Sequence, residues 1–216
     1  MNYQNVAGAL LLIAGVVVIM GIITAEATYP GYSTSGNDIS DLGASRPPNS
    51  IIKQPAATIF AATLAVGGVL LIAGAYFIYR GVGTGRVVTV LSLLLALFGV
   101  SALGVAAFNG STEGSLAIHT LFSLLAFTIG GIAAIVSYGV LRAPFRYLAV
   151  ILGVIALAGL VISVIYGDAN PIFGLIGPGG AERWIVYPSV MWLIGFGGYL
   201  MGHSQHDQGN AVRSSR

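Results

Sequence analysis

Residues 87–108 read VVTVLSLLLALFGVSALGVAAF, an apolar stretch without a single acidic or basic side chain. An α-helix rises 1.5 Å per residue, so about 20 residues cross the roughly 30 Å hydrocarbon core of a bilayer. Lipid offers no hydrogen-bond partner to open backbone groups, and a spanning segment of this kind must therefore be helical. The stretch is predicted to be a transmembrane helix.

Five further apolar runs flank this stretch on both sides. The predicted helices are 6–24, 56–79, 87–108, 116–138, 147–166 and 184–201. The strands of a membrane barrel would alternate apolar and polar residues, which these runs do not. The expected fold class is all-α, a polytopic transmembrane bundle of six helices. We expect one domain, residues 1–202, followed by a cytoplasmic tail, residues 203–216.

The first run shares features with a secretory signal, because a small-residue motif, Ala25-Glu26-Ala27, follows it. Residues 1–5 contain no Lys or Arg, however, and the apolar run is longer than the core of a usual signal. We therefore expect this run to be retained as the first transmembrane helix.

The composition favours the same class of protein. Of 216 residues, 56% are hydrophobic and 7% are charged, whereas an average soluble domain has roughly 25% charged residues. So few charges cannot cover a surface that faces water. The net charge of +2, with scattered basic residues, predicts no binding to nucleic acid. The absence of cysteine excludes disulfides, thiolate metal ligands and a cysteine nucleophile.

The basic residues are distributed unequally between the two sides of the predicted bundle. Six of the nine lie on one side, namely Arg80, Arg86, Arg142, Arg146, Arg213 and Arg216. Short loops rich in arginine stay in the cytoplasm. We therefore expect both termini to be cytoplasmic in a cell (plasma) membrane. The loops 25–55 and 167–183 then lie on the outer face, where six of the seven acids are found.

The interiors of the predicted helices contain no Asp, Glu, Lys or Arg. Ion-coupled transporters and proton pumps usually need such a group inside the membrane. A rhodopsin-like pigment needs a deep lysine, and the chain has only Lys53, at a helix edge. Ligation of haem by two histidines needs a second one beside His119 in a helix. These classes are disfavoured, and no cofactor is expected.

The most unusual stretch is 32–43, YSTSGNDISDLG, which follows the first helix. Asn37 or Asp38 is suited to cap a short helix that Gly43 terminates. On such a helix Asp38 and Asp41 would share one face, because they are three residues apart. The chain topology brings other polar residues to the same side of the membrane. The candidate ligand-binding residues are Asn37, Asp38, Ser40, Asp41, His119, Glu182 and Arg183.

Three interpretations of this cluster remain open. In the first, the carboxylates cap helices and pair with basic side chains such as Arg46 or Arg183. In the second, the cluster forms a pocket for a lipid head group or a small polar ligand, and His119 reaches the carboxylates or the ligand. In the third, Asp38, Asp41 and His119 form a hydrolytic or metal site, as in a membrane-embedded hydrolase or transferase acting on lipid. No metal is predicted, because zinc sites usually contain two or three histidines.

Small residues are abundant in the predicted helices, as at Gly67-Gly68 and Gly130-Gly131. Such residues allow close helix contact within one bundle, with a second copy, or with another membrane protein. An accessory subunit of a larger membrane complex, bound through Gly/Ala-rich helix faces, is therefore a further alternative. Membrane lipid is the partner expected in every case.

Three elements of the sequence resemble a known family. They are Tyr32-Ser33 with Asn37–Gly43 (NDISDLG), His119–Phe127 (HTLFSLLAF) and Gly180–Arg183 (GAER). In these elements the chain resembles the family called domain of unknown function 998, small six-pass membrane proteins of bacteria and archaea. The resemblance implies a six-helix bundle with recurrent polar residues at the outer face and no settled activity. A looser likeness to eukaryotic six-pass proteins of the Frag1 and DRAM type is an analogy of fold only.

Overall fold

The computed structural model describes residues 2–214, with side chains described at 2–167 and 169–202. Its long helices are α1 Tyr3–Ala27, α2 Ala56–Gly81, α3 Arg86–Ala107, α4 Glu113–Val136, α5 Phe145–Tyr166 and α6 Phe173–Ser214. Short 3₁₀ helices are formed by Ile39–Leu42, Ser137–Gly139 and Gly167–Ala169. The side chains of the predicted tail, 203–216, lie outside the described residues.

All six long helices are long and apolar enough to cross a membrane. Their outward faces are apolar as well, with Leu93 60% exposed and Ile165 69% exposed. A helix of a soluble protein would present polar residues there. The expectation of an all-helical fold with six membrane-length helices is confirmed.

The helices form a closed ring. Each packs against its neighbours in sequence, α1 packs against α6, and α4 also contacts α6. Glycines allow close approach between them. A Cβ on Gly68 would lie 2.7 Å from the carbonyl oxygen of Gly99, and one on Gly8 would lie 2.6 Å from that of Gly197. These small residues therefore pack helices against each other within one bundle.

The two ends of the ring differ in what they carry. Near one end the Gln4 amide donates to the carbonyl of Leu200 at 3.0 Å, so α1 begins beside the later part of α6. The opposite end carries the connection 28–55 and is called the loop end here. Between the ends the core is tightly packed, and buried Trp192 donates to the Ser137 hydroxyl at 3.0 Å.

The first five helices begin and end within three residues of their predicted bounds, but α6 begins much earlier than predicted. Its start was expected at Trp184 and is found at Phe173. The helix is interrupted at Gly177, where φ is +73°, and continues from Pro178. Proline fits the first turn of a helix because its missing N–H is not needed there. Gly177 and Pro178 thus restart a helix that the sequence analysis treated as a loop.

This earlier start changes the position of two charged residues. Glu182 and Arg183, expected at the first residues of the helix, lie inside the membrane-length segment Phe173–Gly202. Both lie within the first two turns after the break at Gly177, and the rest of the described helix, residues 184–202, carries no charged residue.

Candidate functional site

The connection after α1 folds over the loop end of the bundle. Ile39 and Leu42 of the short 3₁₀ helix are buried and belong to one apolar cluster with Phe60. Asp38 precedes this helix in an extended conformation, and Gly43 follows it. The sequence predicts the end at Gly43 and a cap at Asn37 or Asp38, and the structure has the cap at Asp38. Burial of Ile39 and Leu42 therefore fixes the polar residues between them over the bundle.

The two aspartates of this segment each bind within it. Asp41 Oδ2 accepts the backbone N–H of Asp38 at 3.1 Å and the side-chain amide of Asn37 at 3.2 Å. Asp38 Oδ2 accepts from Arg46 Nη2 at 3.2 Å. Burial, and then the nearness of Asp41, raises the pKa of Asp38, while Arg46 opposes the shift. The pairing with Arg46 is the structural role that the first interpretation predicts.

A cavity of about 580 Å³ lies beneath this segment and is called the loop-end cavity here. Side chains of α4, α5 and α6 form its walls. Among its polar lining residues are five of the seven predicted site residues, namely Asp38, Ser40, Asp41, His119 and Glu182. Asn37 and Arg183 are not among its lining residues. The structure thus brings most of the predicted residues together around one cavity.

His119 is held in one orientation at the wall of this cavity. The residue is 6% exposed, and Nδ1 lies 2.6 Å from the carbonyl oxygen of Phe108. A carbonyl only accepts hydrogen bonds, so Nδ1 carries the hydrogen and Nε2 is left as an acceptor in the neutral ring. Among the described residues His119 makes no hydrogen bond to the aspartates, because its Nδ1 binds the Phe108 carbonyl at the end of α3. Contact with a ligand, the other half of the expectation, stays a prediction.

Glu182 lies where the loop-end cavity adjoins a second, smaller cavity. Its Oε2 accepts the backbone N–H of Ile39, which joins α6 to the short 3₁₀ helix. The second cavity, of about 90 Å³, lies among the helices and is called the core cavity here. Ser189 lines it, is 3% exposed, and its hydroxyl has no hydrogen-bond partner among the described residues. Glu182 is therefore accessible from both cavities.

Arg183 points away from the loop-end cavity and holds the connection after α1 in place. Its Nη2 donates to Glu26 Oε1 at 2.5 Å and to the Tyr32 hydroxyl at 2.9 Å. Its Nη1 donates to the carbonyl oxygens of Thr34 at 2.8 Å, Gly179 at 2.8 Å and Asn37 at 3.3 Å. Arg183 thus pairs with a carboxylate as predicted, but the partner, Glu26, was not among the predicted site residues.

Tyr32 completes this arrangement. Its hydroxyl accepts from Arg183 and donates to the carbonyl oxygen of Asp38 at 2.9 Å. Burial raises the pKa of Tyr32, so the phenol keeps its hydrogen at neutral pH. Arg183 therefore positions Asp38 through Tyr32 without touching the cavity itself.

Glycines at the start of α6 let the connection approach the helix closely. Gly179 N–H donates to the carbonyl oxygen of Ser35 at 3.0 Å. A Cβ at Gly179 would overlap the carbonyl oxygen of Asn37, and one at Gly177 would overlap that of Ser35. The run Gly177–Gly180 is thus a docking surface for residues 33–38. Its glycine content was the only sequence signal for this role.

The side chains described by the structure do not assemble a metal site. Within them, no group of three His, Cys, Asp or Glu residues is placed to hold a metal ion. The set required by the hydrolytic interpretation, Asp38, Asp41 and His119, is divided because His119 binds the Phe108 carbonyl. The donor set present therefore does not fit a bound zinc ion.

The comparison with known proteins identifies the family. A family model described as a protein of unknown function, DUF998, matches residues 12–199. This range begins in α1, ends in α6 and includes every residue of the cavity described above. No curated protein and no solved structure shows significant similarity to the chain. The resemblance found in the sequence motifs is confirmed, and the chain belongs to the DUF998 family of multi-pass membrane proteins, whose function is unknown.

Proposed function

We propose that this protein binds the head group of a membrane lipid, or a small polar ligand, in the loop-end cavity. The observation that carries the proposal is the mixed lining of the cavity. Carboxylates and an imidazole line it together with the apolar side chains of Leu124, Phe127, Leu160 and Ile185. An amphiphilic molecule combines a polar and an apolar part in the same way.

The size and position of the cavity support this proposal. Its volume of about 580 Å³ is within the roughly 300–1,000 Å³ range of ligand pockets. Val164 of α5 and Leu124 of α4 line the cavity and also belong to the exposed apolar surface of the bundle. A lipid in the surrounding bilayer could therefore enter sideways between these two helices.

The cavity is proposed to face the non-cytoplasmic side of a plasma membrane. The support is the arginine distribution, because four arginines lie in the two short connections opposite to the loop end or in the helix ends beside them, namely Arg80, Arg86, Arg142 and Arg146. Arginine in short connections favours cytoplasmic placement. Both termini would then be cytoplasmic.

The proposal is tested by the lipid that purifies with the protein. Lipids bound to the full chain in mild detergent are extracted and quantified for wild type, His119→Ala and Asp38→Asn. Glu113→Gln is the matched control, since it removes an exposed carboxylate of α4 outside the cavity lining. We expect bound lipid to fall several-fold in the two cavity variants and to stay unchanged in the control. Equal retention in all four proteins would contradict the proposal.

The fixed ring of His119 favours a second candidate, a hydrolase or transferase that acts on lipid. An imidazole whose Nδ1–H is held by a carbonyl presents Nε2 as a general base. The purified protein would be incubated with mixed phospholipids, and products would be followed by mass spectrometry. Product formation by wild type and Glu113→Gln, but not by His119→Ala, would support catalysis. Unchanged lipids would leave binding as the function.

A further inference from the structure

Some carboxylate oxygens of the loop-end cavity accept no hydrogen bond from the protein itself. Asp38 Oδ2 binds Arg46, Asp41 Oδ2 binds the Asp38 N–H, and Glu182 Oε2 binds the Ile39 N–H. The second oxygens of Asp41 and Glu182 accept no hydrogen bond from any residue whose side chain the structure describes. Two acceptor oxygens therefore remain around one cavity.

His119 adds an independent acceptor. Its Nδ1–H is used by the Phe108 carbonyl, and within the described part of the chain Nε2 has no hydrogen-bond partner. His119 lines the cavity, so Nε2 can accept a hydrogen bond from an N–H or O–H donor of a molecule bound there.

The charges of the lining point to the sign of that molecule. Asp38 and Asp41 face one guanidinium, that of Arg46, which is 71% exposed and already pairs with Asp38. Arg183 does not compensate Asp41 directly, because it pairs with Glu26. Asp41 is thus without a cation at hydrogen-bond distance among the described side chains. An anion would be repelled here, whereas a cation would be stabilised.

We infer that the ligand of the loop-end cavity carries a primary ammonium group on an apolar body. This inference rests on the function proposed above and names the class of ligand. An ammonium has three N–H donors and no acceptor, which suits a lining that offers carboxylate oxygens and His119 Nε2 as acceptors. The apolar body would lie against the helix walls. The ammonium belongs either to an ethanolamine lipid head group or to a free alkylamine.

A quaternary ammonium fits the same cavity less well. It has no N–H to donate to His119, and such groups are usually bound by several aromatic faces. The described lining contains two aromatic residues, Phe127 and Phe173, and neither Trp nor Tyr. The cavity therefore favours hydrogen-bonding cations over methylated ones.

The test compares probes that share one alkyl chain. Octylamine, octyltrimethylammonium, 1-octanol and octanoate are titrated against the full chain in detergent near neutral pH, where a primary amine is protonated. Thermal unfolding reports the binding. We expect octylamine to bind at least about tenfold more tightly than the other three, a difference of about 1.4 kcal/mol. Octanoate or 1-octanol binding as tightly as octylamine would overturn the ammonium assignment.

Variants locate the site of octylamine binding. Glu182→Gln keeps an oxygen for the Ile39 N–H but removes the charge, and Asp41→Asn does the same for the Asp38 N–H. Each is expected to weaken octylamine binding about tenfold and to leave 1-octanol binding unchanged. Glu113→Gln should bind octylamine like wild type. Equal octylamine binding in all of these proteins would place the amine elsewhere and overturn the inference.

A second experiment, with lipids, distinguishes the two sources of the ammonium group. The protein is reconstituted with phosphatidylethanolamine, phosphatidylcholine and phosphatidylglycerol in equal amounts, and retained lipid is measured by native mass spectrometry. Preferential retention of phosphatidylethanolamine, lost in Glu182→Gln, supports the head group; octylamine binding without it supports a free amine. Preferential binding of phosphatidylglycerol or octanoate that is lost in His119→Ala overturns the assignment of an ammonium ligand. It still supports the proposed binding of a ligand in the cavity. If no probe and no lipid binds, both the proposed function and the ammonium assignment are overturned.

Discussion

Arg183 Nη2 lies 2.5 Å from Glu26 Oε1, and this ion pair joins α6 to the last turn of α1. The two side chains are 11% and 16% exposed, so water screens the pair only weakly. The same guanidinium binds the Tyr32 hydroxyl and three backbone carbonyls of the surrounding segments. One side chain thus holds together two helices and the connection that covers the loop-end cavity.

Replacing Arg183 by alanine is expected to destabilise the protein strongly. The substitution leaves the Glu26 carboxylate and several carbonyls without their donor. Removing one partner of a shielded pair costs about 3 kcal/mol, or roughly 6–12 °C in Tm for a chain of this length. Arg183→Lys should recover only part of the loss, because an ammonium cannot reproduce the planar five-donor fork. Thermal unfolding in detergent measures both.

The control for this prediction is Arg46→Ala. The pair of Arg46 with Asp38 is largely open to water, since Arg46 is 71% exposed. Loss of this pair should lower the free energy of unfolding by less than about 1 kcal/mol. Similar Tm values for Arg183→Ala and Arg46→Ala would show that the Arg183 contacts do not stabilise the fold.

Gly179→Ala is expected to displace the connection from α6. The added methyl would overlap the carbonyl oxygen of Asn37, which is backbone and cannot move alone. We expect a loss of about 1–3 kcal/mol and faster proteolysis of residues 33–38. Gly198→Ala is the matched control on the same helix, because its Cβ would meet nothing within 4 Å. An unchanged Tm and cleavage rate in Gly179→Ala would contradict the docking described here.

Asp38 should give the stability a recognisable pH dependence. Burial and Asp41 raise its pKa, while Arg46 and Arg183 oppose the shift. The folded state therefore binds this proton more tightly than the unfolded state does. The resulting stability is complete below the ordinary pKa of 3.8 and is lost as pH rises through the raised value.

Asp38→Asn removes this titration and tests it. The Tm of the variant minus that of wild type is expected to become more positive between about pH 4 and about pH 7. Glu113→Gln, an exposed carboxylate outside the cavity, should show a smaller change over the same range. A difference that becomes more negative with pH would mean that the ion pair with Arg46 outweighs burial.

The absence of cysteine allows a clean test of orientation. Asn49→Cys places a thiol on the exposed surface of the connection after α1, and Thr84→Cys places one in the exposed turn between α2 and α3. An impermeant maleimide added to intact cells is expected to label the first variant and to miss the second until the cells are opened. The reverse pattern would put the loop-end cavity in the cytoplasm.

The membrane-spanning part of this fold could be predicted from the sequence because lipid surrounds every helix and imposes the same requirement on each. An apolar stretch such as 87–108 has only one way to satisfy its backbone in lipid. The cap at Asp38 and the end at Gly43 were predictable for a similar reason. Both depend on the local chemistry of a few adjacent residues.

The directions of Glu182 and Arg183 could not be predicted in this way. Adjacent residues of a helix are about 100° apart, so only one of the two can face the loop-end cavity. Which one does so depends on how α6 packs, and its start at Phe173 was hidden by a glycine and proline run that is typical of loops. Glu26 was missed for the same reason, since its partner is 157 residues away.

The adjacency of Glu182 and Arg183 has a mechanical consequence. The cavity wall at Glu182 and the anchor of the covering segment at Arg183 lie on the same turn of α6. A rotation of α6 about its axis that moves Glu182 away from a ligand also moves Arg183 away from Glu26 and Tyr32. Ligand binding in the cavity and loosening of the segment that covers it therefore oppose each other.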